Sequence, residues 1–141
     1  MTTDNLDVIR RLFRAVEERD VEPMFDIYDP KVVVREARSL PYGGEYHGHD
    51  GVVQHGLGYL EAWDRFQTDE DRRLEAEFAG SGDRVFVRWR QKAHGSDGQR
   101  LDLPAISVYR LREGRVVESI MHHLDTEALL EFLARQRGQA G

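Results

Sequence analysis

Three side chains stand out because they can carry a proton near neutral pH from otherwise apolar surroundings. They are Glu36, which closes the run Val32-Val33-Val34-Arg35-Glu36, and the adjacent pair His122-His123. Neighbouring residues of a strand point to opposite faces, so Glu36 joins the row of Val32 and Val34. A carboxylate among valines is poorly hydrated, and the expectation is a raised pKa that lets it exchange a proton near neutrality. Imidazole can act as base and then acid in one cycle, which suits enolisation or aldol-type ring closure. Alternation allows only one of the two histidines into an enclosed space; His122 is favoured, with His123 on the opposite face.

Neutral groups accompany them. In the run Val85 to Gln91, the alternate residues Val85, Val87, Trp89 and Gln91 read as one inward row. Trp89 supplies a flat wall and Gln91 a neutral hydrogen-bond donor. Gln91 is expected to help hold a developing oxyanion, while Phe13, Tyr28, Tyr46, Tyr59, Trp63 and Trp89 shape a substrate pocket. A triad of Ser107, His122 and Glu36 is arithmetically possible but lacks a strained nucleophile elbow. His47 and His49 lie two apart, yet a metal needs three or four converging ligands, and no metal is expected. His55 reads as an exposed helix histidine, with the option of leaning into the pocket mouth. Glycine-rich stretches lack the lysine and the strand-to-helix context of a phosphate cradle, so no cofactor is expected.

The elements that must position these groups follow from periodicity. Leu6, Ile9, Phe13 and Val16 mark an amphipathic helix over about residues 4–19. Asp20 starts a shorter helix, with Val21, Met24, Phe25 and Tyr28 as its apolar side, that ends at Asp29-Pro30. A strand over 31–36 leads into a glycine-rich loop over 39–50, and a third helix over 49–67 carries the stripe Val52, Gly56, Tyr59, Trp63 and Phe66. Strands are expected over 74–79, 84–93 and 100–112, followed by a turn at Glu113-Gly114 and a last strand up to the two histidines. Asp125 caps a final helix over 126–135, and a polar tail follows. Helices ahead of an antiparallel run indicate an α+β fold: a curved antiparallel sheet forming a cone-shaped barrel, with the N-terminal helices over one face.

Composition narrows the function classes. The 141 residues read as a single domain over 1–141. There is no cysteine, which excludes disulfides and thiolate catalysis. The net charge is −6 with both signs scattered, which argues against nucleic acid as a partner. No export signal and no membrane-spanning run is seen, so a cytoplasmic protein without a membrane partner is expected. Phe86, Ile106 and Val108 alternate away from Ala105 and Ser107 and are too apolar to stay wet, so a homodimer through the outer sheet face is expected.

This order of elements, with Asp20-Val21-Glu22, Gly44-Glu45-Tyr46-His47-Gly48, Glu113-Gly114-Arg115-Val116 and Leu124-Asp125-Thr126-Glu127-Ala128-Leu129, resembles the SnoaL-like branch of the nuclear transport factor 2-like superfamily. The likeness covers nearly the whole chain. It places Glu36 where a ketosteroid isomerase keeps its proton-abstracting aspartate and Ser107 where that enzyme keeps an oxyanion-hole acid, whereas Leu12 replaces its tyrosine. Trp89, Gln91 and His122 replace the charged triad of the epoxide hydrolases. His122 also falls near the general base of the SnoaL-type cyclases, although one extra residue between Gly114 and Asp125 could carry a bulge that shifts this match by one. The resemblance implies a cofactor-free cyclase or isomerase acting on a small, mostly apolar oxygenated molecule such as a polyketide or ketone. The alternatives are a dehydratase or epoxide hydrolase in the same pocket, or a non-catalytic ligand-binding or dimerisation module.

Overall fold

The computed structural model describes residues 4–140. Helix α1 (Asn5–Glu18) buries Val8, Ile9, Leu12, Phe13 and Ala15 on one stripe, and Asp4 caps it by accepting from the Leu6 N–H at 2.9 Å. It stops at Arg19, whose φ of 57° sends its N–H back to the carbonyls of Ala15 and Val16. Helix α2 (Met24–Ile27) is shorter than the apolar pattern suggests. Tyr28, Asp29 and Pro30 already belong to strand β1 (Tyr28–Glu36), because a proline pushes the residue before it into extended backbone.

The glycine-rich loop holds a strand that the sequence reading missed. Strand β2 (Gly44–His47) pairs antiparallel with β1, Glu36 opposite Gly44 and Val33 opposite His47. Gly44 and Gly48 take φ of 115° and 70°, values that favour glycine, and so bracket the strand. Helix α3 (Gly48–Trp63) follows, and a short 3-10 turn (Asp64–Phe66) completes the segment expected as one helix.

Strand β3 (Glu77–Ser81) begins later than expected. The Leu74 N–H is drawn to Glu17 Oε2 at 2.7 Å and Glu75 takes a φ of 50°, which interrupts extended backbone before Glu77. Strands β4 (Arg84–His94), β5 (Arg100–Arg112) and β6 (Arg115–His123) then form the expected meander. Helix α4 (Thr126–Ala140) is capped by Asp125, which accepts from the Ala128 N–H at 3.0 Å. It continues through the stretch read as a polar tail, because the buried Gln136 accepts from the Ser96 N–H and donates to Asp97 at the β4–β5 turn. Gly141, the end of that tail, lies outside the described residues.

The fold is α+β, with a curved six-stranded sheet in the order β2-β1-β6-β5-β4-β3. The sheet is mixed and unclosed: β1 runs parallel to β6, since the chain crosses over through α3 and the meander before β6 returns beside it. The other pairings are antiparallel. Helix α1 packs on the inward residues of β1, β4, β5 and β6 in one core cluster, and α4 packs on Trp63, Ala93 and Leu101 in a second. On the outer face Phe86 and Ile106 are exposed and Val108 is half-buried. Among the described residues no helix is long and apolar enough to cross a membrane.

A bulge in β6 decides which side chains reach the inside. Arg110 pairs with Glu118 but Leu111 pairs with Val116, so Val117 is an extra residue. The inward parity changes there: Val116 is buried, and beyond the bulge Ser119, Met121 and His123 line the concave side.

Candidate active site

A cavity of about 220 Å³ lies between helices α1, α2 and α3 and the concave sheet face. Most of its wall is apolar, including Phe13, Val52, Leu60, Trp89 and Met121. Arg19 is also on the wall, paired with Asp64 at 3.2 Å.

The polar end is built around Glu36, the last residue of β1. Its side chain is 1% exposed, because the Val32–Val34 row continues inward beneath α3. His123 Nε2, from the end of β6, lies 2.7 Å from Glu36 Oε1, and His55 Nε2, from α3, lies 3.3 Å from Oε2. Each carboxylate oxygen thus has its own imidazole. Burial pushes the Glu36 pKa up, but hydrogen bonds and charge from His123 and His55 outweigh it, so the carboxyl sits below its ordinary value. Glu36 is therefore an anion at neutral pH, and the expectation of a raised pKa is overturned. With Nε2 of each ring turned to the carboxylate, Nδ1 is the nitrogen left for a ligand.

Neutral donors face this anion. Trp89 Nε1 donates to Ser107 Oγ at 2.9 Å, which leaves the Ser107 hydroxyl proton free for another acceptor. Both residues line the cavity, as do Tyr28, Tyr42, Tyr59 and Tyr109. Burial raises the pKa of all four phenols, so they remain protonated donors. The edge of the Trp89 ring also packs on His123, with centroids 5.9 Å apart.

The SnoaL-like domain model matches residues 9–119. The chain belongs to the SnoaL-like domain family. Its fold is shared with TerC co-crystallised with polyporic acid (TM-score 0.78, 22% identity, covering 92% of this chain and 98% of the other). It is similar also to an NTF2-like protein of unknown function from Burkholderia pseudomallei (TM-score 0.79, 24% identity, 93% and 98%). A third similar structure is IdmH, a candidate polyketide cyclase from Streptomyces antibioticus (TM-score 0.71, 16% identity, 96% and 99%). No curated protein matches the sequence significantly.

Within this SnoaL-like domain, four sequence expectations need correction. His122 is exposed, and the Val117 bulge puts His123 in the cavity instead. Trp63 is core: it is fully buried, donates to Tyr42 Oη at 2.7 Å and stacks on Phe132. Gln91 is buried beyond the cavity, where its Oε1 accepts from Tyr59 Oη at 2.8 Å; β4 has by then passed under the second core cluster. Tyr46 braces the site from outside, with its hydroxyl on the Tyr42 carbonyl at 3.0 Å and its ring edge-on to His55.

Glu36, Ser107, Phe13, Tyr28, Tyr59 and Trp89 do meet around the cavity. Sequence reasoning gave Tyr109 no role, set His123 on the opposite face, and offered His55 only as an option at the pocket mouth. The signal for His55 was present, because residues 52, 55, 56 and 59 follow the spacing of one helix face. Among the described residues no group of three or more His, Cys, Asp or Glu side chains is arranged to hold a metal ion.

Proposed function

We propose that this SnoaL-like domain is a cofactor-independent acid-base enzyme of the cyclase or isomerase type, acting on a small, mostly apolar oxygenated molecule. The observation that carries the reading is an anionic carboxylate clasped by two imidazoles at the inner end of an apolar cavity. Perturbed, sheltered titratable groups in a concave site are the usual mark of proton-transfer chemistry. The kinship with TerC, co-crystallised with polyporic acid, and with IdmH, a candidate polyketide cyclase, supports the same class of ligand.

In this scheme His123 Nδ1 takes a proton from a carbon beside a carbonyl. The C–H electron pair moves onto the carbonyl oxygen, which accepts from the Ser107 hydroxyl and a neighbouring phenol. Glu36 stays ionised, orients the imidazole and stabilises the imidazolium that forms. The resulting enolate attacks a second carbonyl in a cyclase, or is reprotonated at another carbon in an isomerase. His123 returns the proton in either case. Water is kept away by α3 and the apolar wall.

Exchange of the α-protons of 2-tetralone in D₂O, followed by proton NMR, tests the assignment without knowledge of the natural substrate. The wild-type protein is expected to accelerate exchange, and His123→Gln and Glu36→Gln to lower the rate about 100-fold or more, the usual share of a general base. Rates equal to wild type in both variants would refute it. We propose further that the outer sheet face around Phe86 and Ile106 joins two copies of the chain, since these exposed apolar side chains are the sheet's wet hydrophobic surface.

A further inference from the structure

Six large hydrophobic side chains are exposed among the described residues: Val21, Phe25, Leu57, Phe86, Ile106 and Leu124. Phe86 and Ile106 belong to the outer sheet face, and Leu124 to the link between β6 and α4. The other three share one place. Val21 (49% exposed) and Phe25 (44%) at α2, and Leu57 (61%) on α3, are all part of the cavity wall as well as of the surface. A residue can be both only at the mouth, so the opening is rimmed by apolar side chains left in water. Polar residues would be the ordinary occupants of such a rim, and the neighbouring Asp20, Glu22 and Asp26 are indeed exposed.

The cavity that these three residues help to bound has a volume of about 220 Å³. Its inner end is polar and closed, with Glu36 and His123 side chains 1% and 4% exposed. Its walls and rim are mostly apolar from Phe13 and Leu60 out to Leu57, with Arg19, His49 and the tyrosines as the polar exceptions. Gly56, at the same level of α3, leaves open space where a side chain would stand.

We propose that the ligand is longer than the cavity: an uncharged amphipathic molecule whose oxygenated end sits at Glu36 and His123 and whose apolar body leaves between α2 and α3 across Val21, Phe25 and Leu57. The Glu36 carboxylate at one end and the acidic residues around the mouth at the other disfavour an anionic head such as a fatty acid's. Arg19, the cation on the wall, turns its Nη2 to Asp64 at 3.2 Å and to Gln67 Oε1 at 3.1 Å, while its buried Nε has no partner. The inference rests on the acid-base reading for the placing of the oxygen, and on the rim alone for the placing of the tail.

A homologous series of methyl ketones, 2-hexanone to 2-undecanone, tests it by titration against the isotope-labelled protein, with the His123 ring and the Leu57 methyls as NMR reporters. Affinity is expected to rise about two- to fourfold per methylene beyond the length that fills the cavity, as continued apolar contact requires. Long ketones should shift both reporters and short ones His123 alone. The double variant Val21→Thr/Leu57→Gln, both at exposed positions, should bind 2-hexanone as wild type does and lose about tenfold for 2-undecanone. Decanoate should bind more weakly than 2-undecanone. An affinity that levels off once the cavity is full, or an equal loss at every length in the variant, would overturn this inference and leave the acid-base reading standing. Binding that leaves the His123 ring unperturbed, or no binding at any length, would overturn both.

Discussion

At the scale of single residues, the site depends on how Glu36 keeps its charge in a hydrophobic place. An isolated buried carboxylate is neutralised by taking up a proton, whereas one that accepts two hydrogen bonds from imidazoles is held ionised. Asp71 is treated similarly, with His94 Nδ1 at 2.6 Å and the Thr68 N–H at 3.1 Å. Burial raises both pKa values, but the partners win and both end below their ordinary 4.5 and 3.8. In the acid range the unfolded chain then binds more protons than the folded one, so stability is complete above about pH 4.5 and declines as pH falls through the folded values. Thermal melting followed from pH 7 to pH 3 should show this decline, and Glu36→Gln should flatten it. An equally steep profile in the variant would show that other carboxylates carry the effect.

At the scale of elements, the decisive event is the extra residue Val117 in β6. Alternation along a strand is strict, so one bulge exchanges the faces of everything beyond it. The strand ends that carry Glu36 and His123 are then brought level by the parallel pairing of β1 with β6, Arg35 opposite Ile120. Asp125 holds the far side by capping α4 two residues after His123. Asp125→Ala should cost about 1 kcal/mol and lower the melting temperature by about 2–4 °C, measured by circular dichroism. A shift within error would mean that packing of Leu129, Phe132 and Leu133 alone sets the start of the helix.

At the scale of the whole molecule, one wall of the sheet is proposed for the ligand and the other for a second copy of the chain. The concave side takes the helices, leaving Phe86 and Ile106 exposed on the other. If that face joins two copies, Ile106→Lys should convert the dimer to a monomer in analytical ultracentrifugation with the fold intact, since Ile106 is 46% exposed. A wild-type protein that sediments as a monomer would refute the proposal.

Much of this was legible in the residues. The amphipathic stripe of α1, the three long strands with their turns, the cap of α4, and the inward row Val32, Val34, Glu36 follow from local periodicity and local hydrogen bonding, which a sequence states directly. So do the inward positions of Trp89 and Ser107. The parity of β6 beyond Val117, the partnership of His55 with Glu36, the retirement of Trp63 and Gln91 into core, and the lowered Glu36 pKa were settled by tertiary structure. Each depends on which distant segment lies alongside: a bulge is defined only against its partner strand, and the charge of a buried acid is defined only by the groups that reach it. One residue more or less in a strand leaves composition and hydrophobic pattern almost unchanged, yet it decides which of two adjacent imidazoles enters the cavity.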